Sequence, residues 1–181
     1  MRNMSMRTFK ISPSVQSYDI PLRDLQSRYN EKRLVVGVAI IAPSAGPLSS
    51  YKLLLVQRSD TEDSFASMYE LPGGGAEPED RTILDTIARE TAEETGLIVS
   101  RISRSFDGFE YSTRSGDAVQ FNFVVEVVGG MDSPVTLNPA EHQAFAWVDD
   151  TDDMTKFGFT GAMSKVVADA LKIARELEPK N

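Results

Sequence analysis

The sequence predicts an α/β fold in which helices cover both faces of a central mixed β-sheet, an α/β/α sandwich. Leu34–Ala42 is an uninterrupted apolar run rich in β-branched residues, as expected for a strand buried on both faces. Further strand-like segments follow it, and two amphipathic helical segments are widely separated among them. Strands and helices mixed in this way bury their apolar faces against each other in layers.

The chain up to residue 33 is predicted to be an N-terminal extension packed on the main domain, which spans residues 34–181. A length of 181 residues is most simply one domain. Within the extension, Ile11–Ile20 is predicted to be extended, and a short helix begins after Pro21. The positions on the buried face of this helix are Leu22, Leu25 and Tyr29.

The strands of the main domain are apolar runs bounded by turn residues. Pro43–Ser50, Ser59–Met68 and Gly129–Ala140 are predicted loops, and a hairpin turns around Ser115–Asp117. The predicted strands after the first are Lys52–Gln57, Ile98–Ser103, Phe106–Thr113, Ala118–Val128 and Ala144–Val148.

Two helices belong to the main domain. The last, Thr160–Leu177, has the apolar periodicity of a helix packed on a sheet. The other begins after Thr82, which forms a capping-box pattern with Asp85, and it ends at Gly96, where a left-handed C-cap is expected. Its predicted apolar face consists of Ile83, Leu84, Ile87 and Thr91.

Three acidic residues converge on another side of this helix. Glu90, Glu93 and Glu94 are spaced i, i+3 and i+4, so their carboxylates repel each other, which raises their pKa values unless a cation offsets the charge. Mg²⁺ and Mn²⁺ prefer such oxygen ligands. Arg89 lies four residues before Glu93 and can orient that ligand. The cluster therefore predicts a metal platform, with a solvated acidic face as the alternative.

These residues also resemble a known motif, the Nudix box G-x5-E-x7-R-E-U-x-E-E-x-G-U, in which U is a bulky aliphatic residue. Arg89–Leu97 matches its second half, except that Thr91 replaces the aliphatic residue, and Tyr69–Gly74 is similar to the segment that enters the box. The chain thus resembles the Nudix hydrolase superfamily over roughly Val35 to Val148, with a variant box similar to that of uncharacterised fungal members. The matching positions are Gly75, Arg89, Glu90, Glu93, Glu94, Gly96 and Leu97.

The resemblance implies a Nudix-like α/β/α sandwich and metal-dependent hydrolysis. The expected substrate is a small molecule, a nucleoside diphosphate linked to another group or a related organic diphosphate, and the expected cofactor is Mg²⁺ or Mn²⁺. The metal ligands would be Glu90, Glu93 and Glu94, and the backbone of Gly74 and Gly75 can approach metal or phosphate closely. The candidate catalytic residues are Glu93, Glu90, Arg89 and Glu141, the last as an outside candidate for the general base.

The first glutamate of the box has no direct counterpart. Counting back from Arg89 places Arg81 there, whereas counting forward from Gly74 places Asp80 there, with one extra residue before Arg89. The second alignment is favoured because it keeps an acidic loop. It predicts that the Asp80 carboxylate points toward Arg89 or the metal and that Arg81 faces solvent.

Several residues outside the acidic helix are further candidates for the site. His142 is expected to have a structural or substrate-stacking role, and Phe65, Tyr69, Phe109 and Tyr111 are either base-stacking or core aromatics.

A net charge of −8 argues against binding of extended nucleic acid. With no membrane-length apolar run, no secretory signal and no cysteine, the expectation is a cytoplasmic monomer or homodimer. The irregular first half of the box leaves a Nudix-fold non-hydrolytic enzyme or ligand-binding module as the alternative.

Overall fold

The computed structural model describes residues 8–44, 51–62, 64–113 and 116–177, which form seven strands and three α-helices. The strands are β1 (Lys10–Ile11), β2 (Arg33–Pro43), β3 (Tyr51–Arg58), β4 (Tyr69–Glu70), β5 (Val99–Thr113), β6 (Gly116–Val127) and β7 (His142–Val148). The helices are α1 (Leu22–Arg28), α2 (Ile83–Thr95) and α3 (Gly161–Glu176). Short 3-10 helices span Pro13–Tyr18, Gly130–Asp132 and Met154–Lys156.

The strands form one mixed sheet in the order β1-β5-β6-β2-β3-β4, with β7 also paired to β3. The β1–β5 and β2–β6 pairs are parallel, and the other pairs are antiparallel. β2 lies at the centre, and every residue from Leu34 to Ala42 is buried, as its continuous apolar run predicts.

Two cores lie on opposite faces of the sheet. Val36, Val38 and Ile40 of β2 pack on one face with the apolar side of α2. Ala39 and Ile41 point the other way and pack with the apolar stripe of α3. This layering follows from the alternation of side chains along a strand, and it confirms the predicted α/β/α sandwich.

The N-terminal segment packs on the same face as α2. Phe9, Val15 and Leu25 are buried in that core, and α1 matches the helix predicted after Pro21. The prediction that Ile11–Ile20 is extended is wrong, because a 3-10 helix begins at Pro13, whose ring presets the φ of a first helical turn. The division of the chain at residue 33 stays a prediction.

The strand predictions need two further corrections. Ile98–Ser103 and Phe106–Thr113 are not separate strands, because β5 runs through both and absorbs the irregularities as bulges opposite β6. β4 was not predicted, since two residues form a strand only through their partner, here Val56–Gln57 of β3. Residues 45–50 of the predicted loop Pro43–Ser50, residue 63 of the predicted loop Ser59–Met68 and residue 115 of the predicted hairpin turn lie outside the described residues. None of the helices in the described ranges has the length and apolar character needed to cross a membrane.

Candidate active site

The N-terminal and C-terminal ends of α2 are formed by the residues that the sequence indicates. The side chain of Thr82 accepts a hydrogen bond from the Asp85 N–H, and the Asp85 carboxylate accepts one from the Thr82 N–H, which completes a capping box. Gly96 closes the helix with a φ of 69°, in the left-handed region that favours glycine. The predicted apolar face is fully buried, so the face that carries the acidic residues turns toward the glycine-rich loop before the helix.

Arg89 organises this loop and the carboxylates around it. Its Nε and Nη2 donate to the two oxygens of Asp80, at 3.2 and 3.0 Å, and Nη2 also donates to the Gly75 carbonyl at 2.8 Å. Its Nη1 donates to Glu90 at 2.9 Å and to Glu93 at 3.0 Å. A guanidinium has five N–H donors, and these bonds use all five. Arg89 is therefore placed as a positioning residue for two candidate metal ligands, with no donor left for a substrate phosphate.

The structure confirms the predicted orientations of Asp80 and Arg81. The Asp80 side chain is 6% exposed and bonds to Arg89, to the Thr86 hydroxyl and to the Glu77 N–H. Burial on its own would raise the pKa of Asp80, but these hydrogen bonds outweigh it and hold the pKa below its ordinary value. The Arg81 side chain is 52% exposed and pairs with Asp85. Asp80 thus occupies the place beside Arg89 that was predicted for the first acid of the box.

Glu90 and Glu94 are buried carboxylates on the side of α2 next to the glycine loop. Glu94 accepts a hydrogen bond from the Gly73 N–H at 2.7 Å, and Glu90 bonds to Arg89. Burial raises the pKa of Glu94 to about 9, and nearby acids add to the effect. Burial also raises the pKa of Glu90, against the opposing effect of Arg89. The predicted repulsion is present, but loss of water is the larger cause of the raised pKa values.

This donor set fits a hard divalent cation. The positive charge near Glu90 and Glu94 does not offset the free-energy cost of ionising these buried carboxylates, so their pKa values are raised. A bound divalent cation would supply the missing positive charge. The Glu93 side chain is 56% exposed and pairs with Arg89 through one oxygen, so it faces solvent beside the buried pair. Which of the three residues ligates a metal stays a prediction.

The glycines allow the loop to lie directly against these acids. A Cβ on Gly74 would fall 2.5 Å from Oε1 of Glu90, and one on Gly73, with its φ of 151°, would fall 2.0 Å from the Val36 carbonyl. The Gly74 carbonyl accepts a hydrogen bond from Val36, and that of Gly75 accepts one from Arg89. Contact of Gly74 and Gly75 with a metal or phosphate therefore stays a prediction, whereas the close approach of Gly74 to Glu90 and the hydrogen bond from Gly73 to Glu94 are present in the structure.

Replacing Gly74 with alanine is expected to weaken divalent-metal binding about 10-fold while leaving the fold intact. The added methyl displaces the Glu90 carboxylate, which is buried and already held by Arg89, and changes around metal ligands typically cost 10- to 100-fold in affinity, roughly. Calorimetric titration with Mn²⁺ measures the effect. Gly158→Ala is the matched control because a Cβ there meets nothing within 4 Å, and equal affinities for both variants would contradict the prediction.

A second segment reaches the site from the loop between β6 and β7. The Thr136 N–H donates to the Thr95 carbonyl at 2.8 Å, and the Asn138 N–H donates to the Glu94 carbonyl at 3.3 Å. The Asn138 carbonyl then accepts from the N–H groups of Glu141 and His142. The loop therefore covers the C-terminal end of α2 and turns Glu141 and His142 back toward Glu94.

Glu141 and His142 join the acids of α2 as a result. One oxygen of Glu94, one of Glu141 and one ring nitrogen of His142 lie within 4.8 Å of one another. Glu141 also contributes to the raised pKa values of Glu90 and Glu94. The sequence predicted Glu141 as an outside candidate for the general base and gave His142 a structural or substrate-stacking role. The adjacency of an acid and the chain's only histidine just before a strand was the available signal.

The aromatic candidates separate into core and surface. Tyr69 packs edge-to-face on Phe157, with ring centroids 4.9 Å apart, so it belongs to the core on the α3 side. Phe65 is 60% exposed. Phe109 and Tyr111 form a tilted pair on β5, and Tyr111 lies within electrostatic range of Arg33 and Glu70. Phe109 also packs against the core on the α3 side, so Tyr111 is the member of the pair that remains a candidate for stacking on a substrate.

Comparison with known proteins identifies the class. The NUDIX domain model matches residues 31–168, most of the chain, so the protein belongs to the Nudix family. This membership confirms the resemblance predicted from the sequence and supports an enzyme of the pyrophosphohydrolase type. A search of the curated proteins finds no significant match.

Solved structures share the fold at low sequence identity. The NUDIX domain of Shewanella oneidensis NrtR, complexed with ADP ribose, is 19% identical with a TM-score of 0.61, over 80% of this chain and 87% of that one. The MutT protein of Methanosarcina mazei Go1 is 21% identical with a TM-score of 0.56, over 81% and 96%. A C. elegans Ap4A hydrolase binary complex is 18% identical with a TM-score of 0.57, over 80% and 99%. At these identities the similarity establishes the fold alone.

Proposed function

We propose that the protein is a divalent-metal-dependent hydrolase that cleaves a diphosphate bond in a small molecule, a nucleoside diphosphate linked to another group or a related organic diphosphate. The observation that supports this most strongly is the acidic group at α2, where Glu90 and Glu94 are buried with raised pKa values beside the glycine loop. Two buried acids that lack compensating charge are costly in a purely structural role. They are suited to Mg²⁺ or Mn²⁺, which would be held by Glu90, Glu93 and Glu94.

Different residues would have different roles in such a reaction. A bound cation would neutralise charge on the diphosphate oxygens. Arg89 keeps Glu90 and Glu93 in place, and Asp80 keeps Arg89 in place. Glu141 is exposed beside the buried acids and supplies a carboxylate that can accept the proton of the attacking water. The water oxygen forms a bond to phosphorus, the bridging P–O bond breaks, and the departing phosphate keeps the bridging oxygen.

The organic part of the substrate would stack on Tyr111, which lies within electrostatic range of Glu70. Aromatic rings stack on nucleobases without strong preference among them. ADP ribose and Ap4A, named with two of the structural neighbours, both contain a nucleoside joined through phosphates. The proposed substrate class includes both.

A substrate panel tests the proposal. ADP-ribose, nucleotide sugars, dinucleoside polyphosphates, nucleoside triphosphates and prenyl diphosphates are incubated with the protein and Mg²⁺ or Mn²⁺, and release of phosphate or nucleotide is measured. We expect turnover of at least one diphosphate and its loss in excess chelator. Activity that persists undiminished in chelator would contradict metal dependence. Metal and ligand binding without turnover of any compound would favour the non-hydrolytic alternative.

A further inference from the structure

Two acids and the chain's only histidine form a second candidate ligand group that shares one member with the box. The ligand atoms of Glu94, Glu141 and His142 lie within 4.8 Å of one another. Glu94 and His142 are buried, with 6% and 2% of their surface exposed, whereas Glu141 is exposed. A metal with ligand distances of about 2.1 Å separates its ligand atoms by roughly 3 to 4 Å. The separations in the structure therefore exceed that range by at most about 1 to 2 Å, a distance that side-chain rotation can supply.

The imidazole of His142 is unsatisfied in this position. Neither Nδ1 nor Nε2 has a hydrogen-bond partner within residues 8–44, 51–62, 64–113 and 116–177. Nε2 lies 3.5 Å from Oε1 of Glu70, a contact that becomes an ion pair only when the ring is protonated. Buried polar groups are nearly always hydrogen-bonded, and one left unpaired costs about 1 to 3 kcal/mol. A metal ion among the three residues would satisfy one ring nitrogen.

Neighbouring residues hold the imidazole as a ligand would require. The backbone of His142 is bonded to Asn138, which is itself bonded to the Glu94 carbonyl, so the histidine and Glu94 are fixed by one loop. A ligating imidazole typically donates its second N–H to a carboxylate. Glu70 is placed for that role near Nε2, and it is held by Arg58 through a 2.9 Å hydrogen bond.

We propose that Glu94, Glu141 and His142 form a mixed nitrogen–oxygen site for a divalent transition-metal ion, with Zn²⁺ bound more tightly than Mn²⁺ and Mn²⁺ more tightly than Mg²⁺. Imidazole suits Zn²⁺, whereas Mg²⁺ is bound through oxygen and keeps much of its water. The inference rests on the proposed function only through Glu94, which both ligand groups share. A Glu141 carboxylate that ligates this ion is not available to accept a proton, so Glu141 serves hydrolysis only while no ion is bound here.

Nuclear magnetic resonance of the imidazole nitrogens tests the site without a substitution. The untagged protein has one histidine, so labelling histidine with ¹⁵N gives two ring-nitrogen signals that both belong to His142. We expect one equivalent of Zn²⁺ to shift one of these signals strongly, and saturating Mg²⁺ to leave both close to their metal-free positions. Signals that do not respond to Zn²⁺ would overturn the proposal.

Calorimetry on variants supplies an independent measurement. Glu141→Gln alters an exposed side chain, and His142→Gln removes the nitrogen ligand. We expect each to weaken Zn²⁺ binding at least about 10-fold and to change Mg²⁺ affinity by less than about 2-fold, because the box carboxylates remain. Glu79→Gln, an exposed acid outside both groups, is the charge-matched control. Equal losses for both ions, or none, would overturn the proposal. Glu141→Gln keeps this test valid if His142→Gln fails to fold.

The outcomes for this inference and for the proposed function are separable. Mg²⁺-dependent hydrolysis in a protein whose His142 signals ignore Zn²⁺ would contradict this inference alone. A His142 signal that responds to Zn²⁺ in a protein inactive on every diphosphate would contradict the proposed hydrolysis alone.

Discussion

Glu94→Gln is expected to lower divalent-metal affinity and metal-dependent activity at least about 100-fold, more than the 10- to 100-fold typical of residues that only support a ligand. The substitution keeps the shape of the side chain, and the amide oxygen can still accept the hydrogen bond from the Gly73 N–H. What it removes is the negative charge of the acid that belongs to both candidate ligand groups. Mn²⁺ calorimetry and the substrate assay measure the two effects.

In the metal-free protein, the same substitution is expected to reduce the loss of stability that the parent shows as pH rises. The pKa of Glu94 is raised from 4.5 to about 9 in the fold, so between these values the folded protein holds a proton that the unfolded chain has released. Binding of that proton stabilises the folded protein fully at pH values below 4.5, and this stabilisation is lost as pH rises through about 9. Glutamine does not titrate. Metal-free Glu94→Gln should therefore lose less stability than the parent as pH rises.

Urea unfolding in excess chelator at about pH 5 and about pH 8.5 measures this difference, because the two conditions lie near opposite ends of the titration. Glu79→Gln removes the same unit of charge from an exposed position and should follow the parent at both pH values. A Glu94→Gln variant that binds metal normally would contradict the proposed function. A variant that loses stability with pH as steeply as the parent would contradict the raised pKa.

Asp80→Asn is expected to destabilise the protein by about 2 to 3 kcal/mol and to lower metal-dependent activity about 10- to 100-fold. An asparagine has one carbonyl oxygen, whereas both Asp80 oxygens receive hydrogen bonds from Arg89, and Thr86 and the Glu77 N–H add two more. With its anchor weakened, Arg89 holds Glu90 and Glu93 less firmly. Urea unfolding and steady-state kinetics measure the two effects.

Arg81→Ala is the matched control at the neighbouring position. Its side chain is half exposed and pairs only with Asp85 at the surface in the described structure, so the expected change in stability is within about 0.5 kcal/mol.

The effect of Asp80→Asn should also depend on pH. The pKa of Asp80 is lowered in the fold, so the stability that its carboxylate contributes is present above the ordinary pKa and is lost as pH falls through the folded value. The difference between the parent and Asp80→Asn should therefore shrink in acid. A larger effect from Arg81→Ala than from Asp80→Asn would show that the other alignment of the box is right.

Local patterns predicted the parts of the fold whose causes are local. The apolar run of β2, the capping box of α2 and its glycine C-cap each depend on residues a few positions apart, and the structure has all three. β4 and the continuity of β5 depend on partner strands, which a local pattern does not report. The extended prediction for Ile11–Ile20 failed because Pro13 favours a helical turn as readily as a strand break.

The candidate site divides in the same way. Glu90, Glu93 and Arg89 are neighbours on one helix, so their spacing was enough to bring them together. The presence of His142 beside Glu94 depends on a loop that starts after β6 and docks on the end of α2. Backbone hydrogen bonds hold this loop on the end of α2, and the sequence of side chains does not indicate which backbone groups will bond.

That docking has a consequence for local unfolding. The carbonyls of Glu94 and Thr95 are among those that a helix end leaves without an internal partner, and the loop supplies their N–H donors. Fraying of this helix end and opening of the loop are therefore one cooperative event. A molecule in that open state keeps Arg89, Glu90 and Glu93 on the remaining turns of helix, but it has released the segment that carries Glu141 and His142.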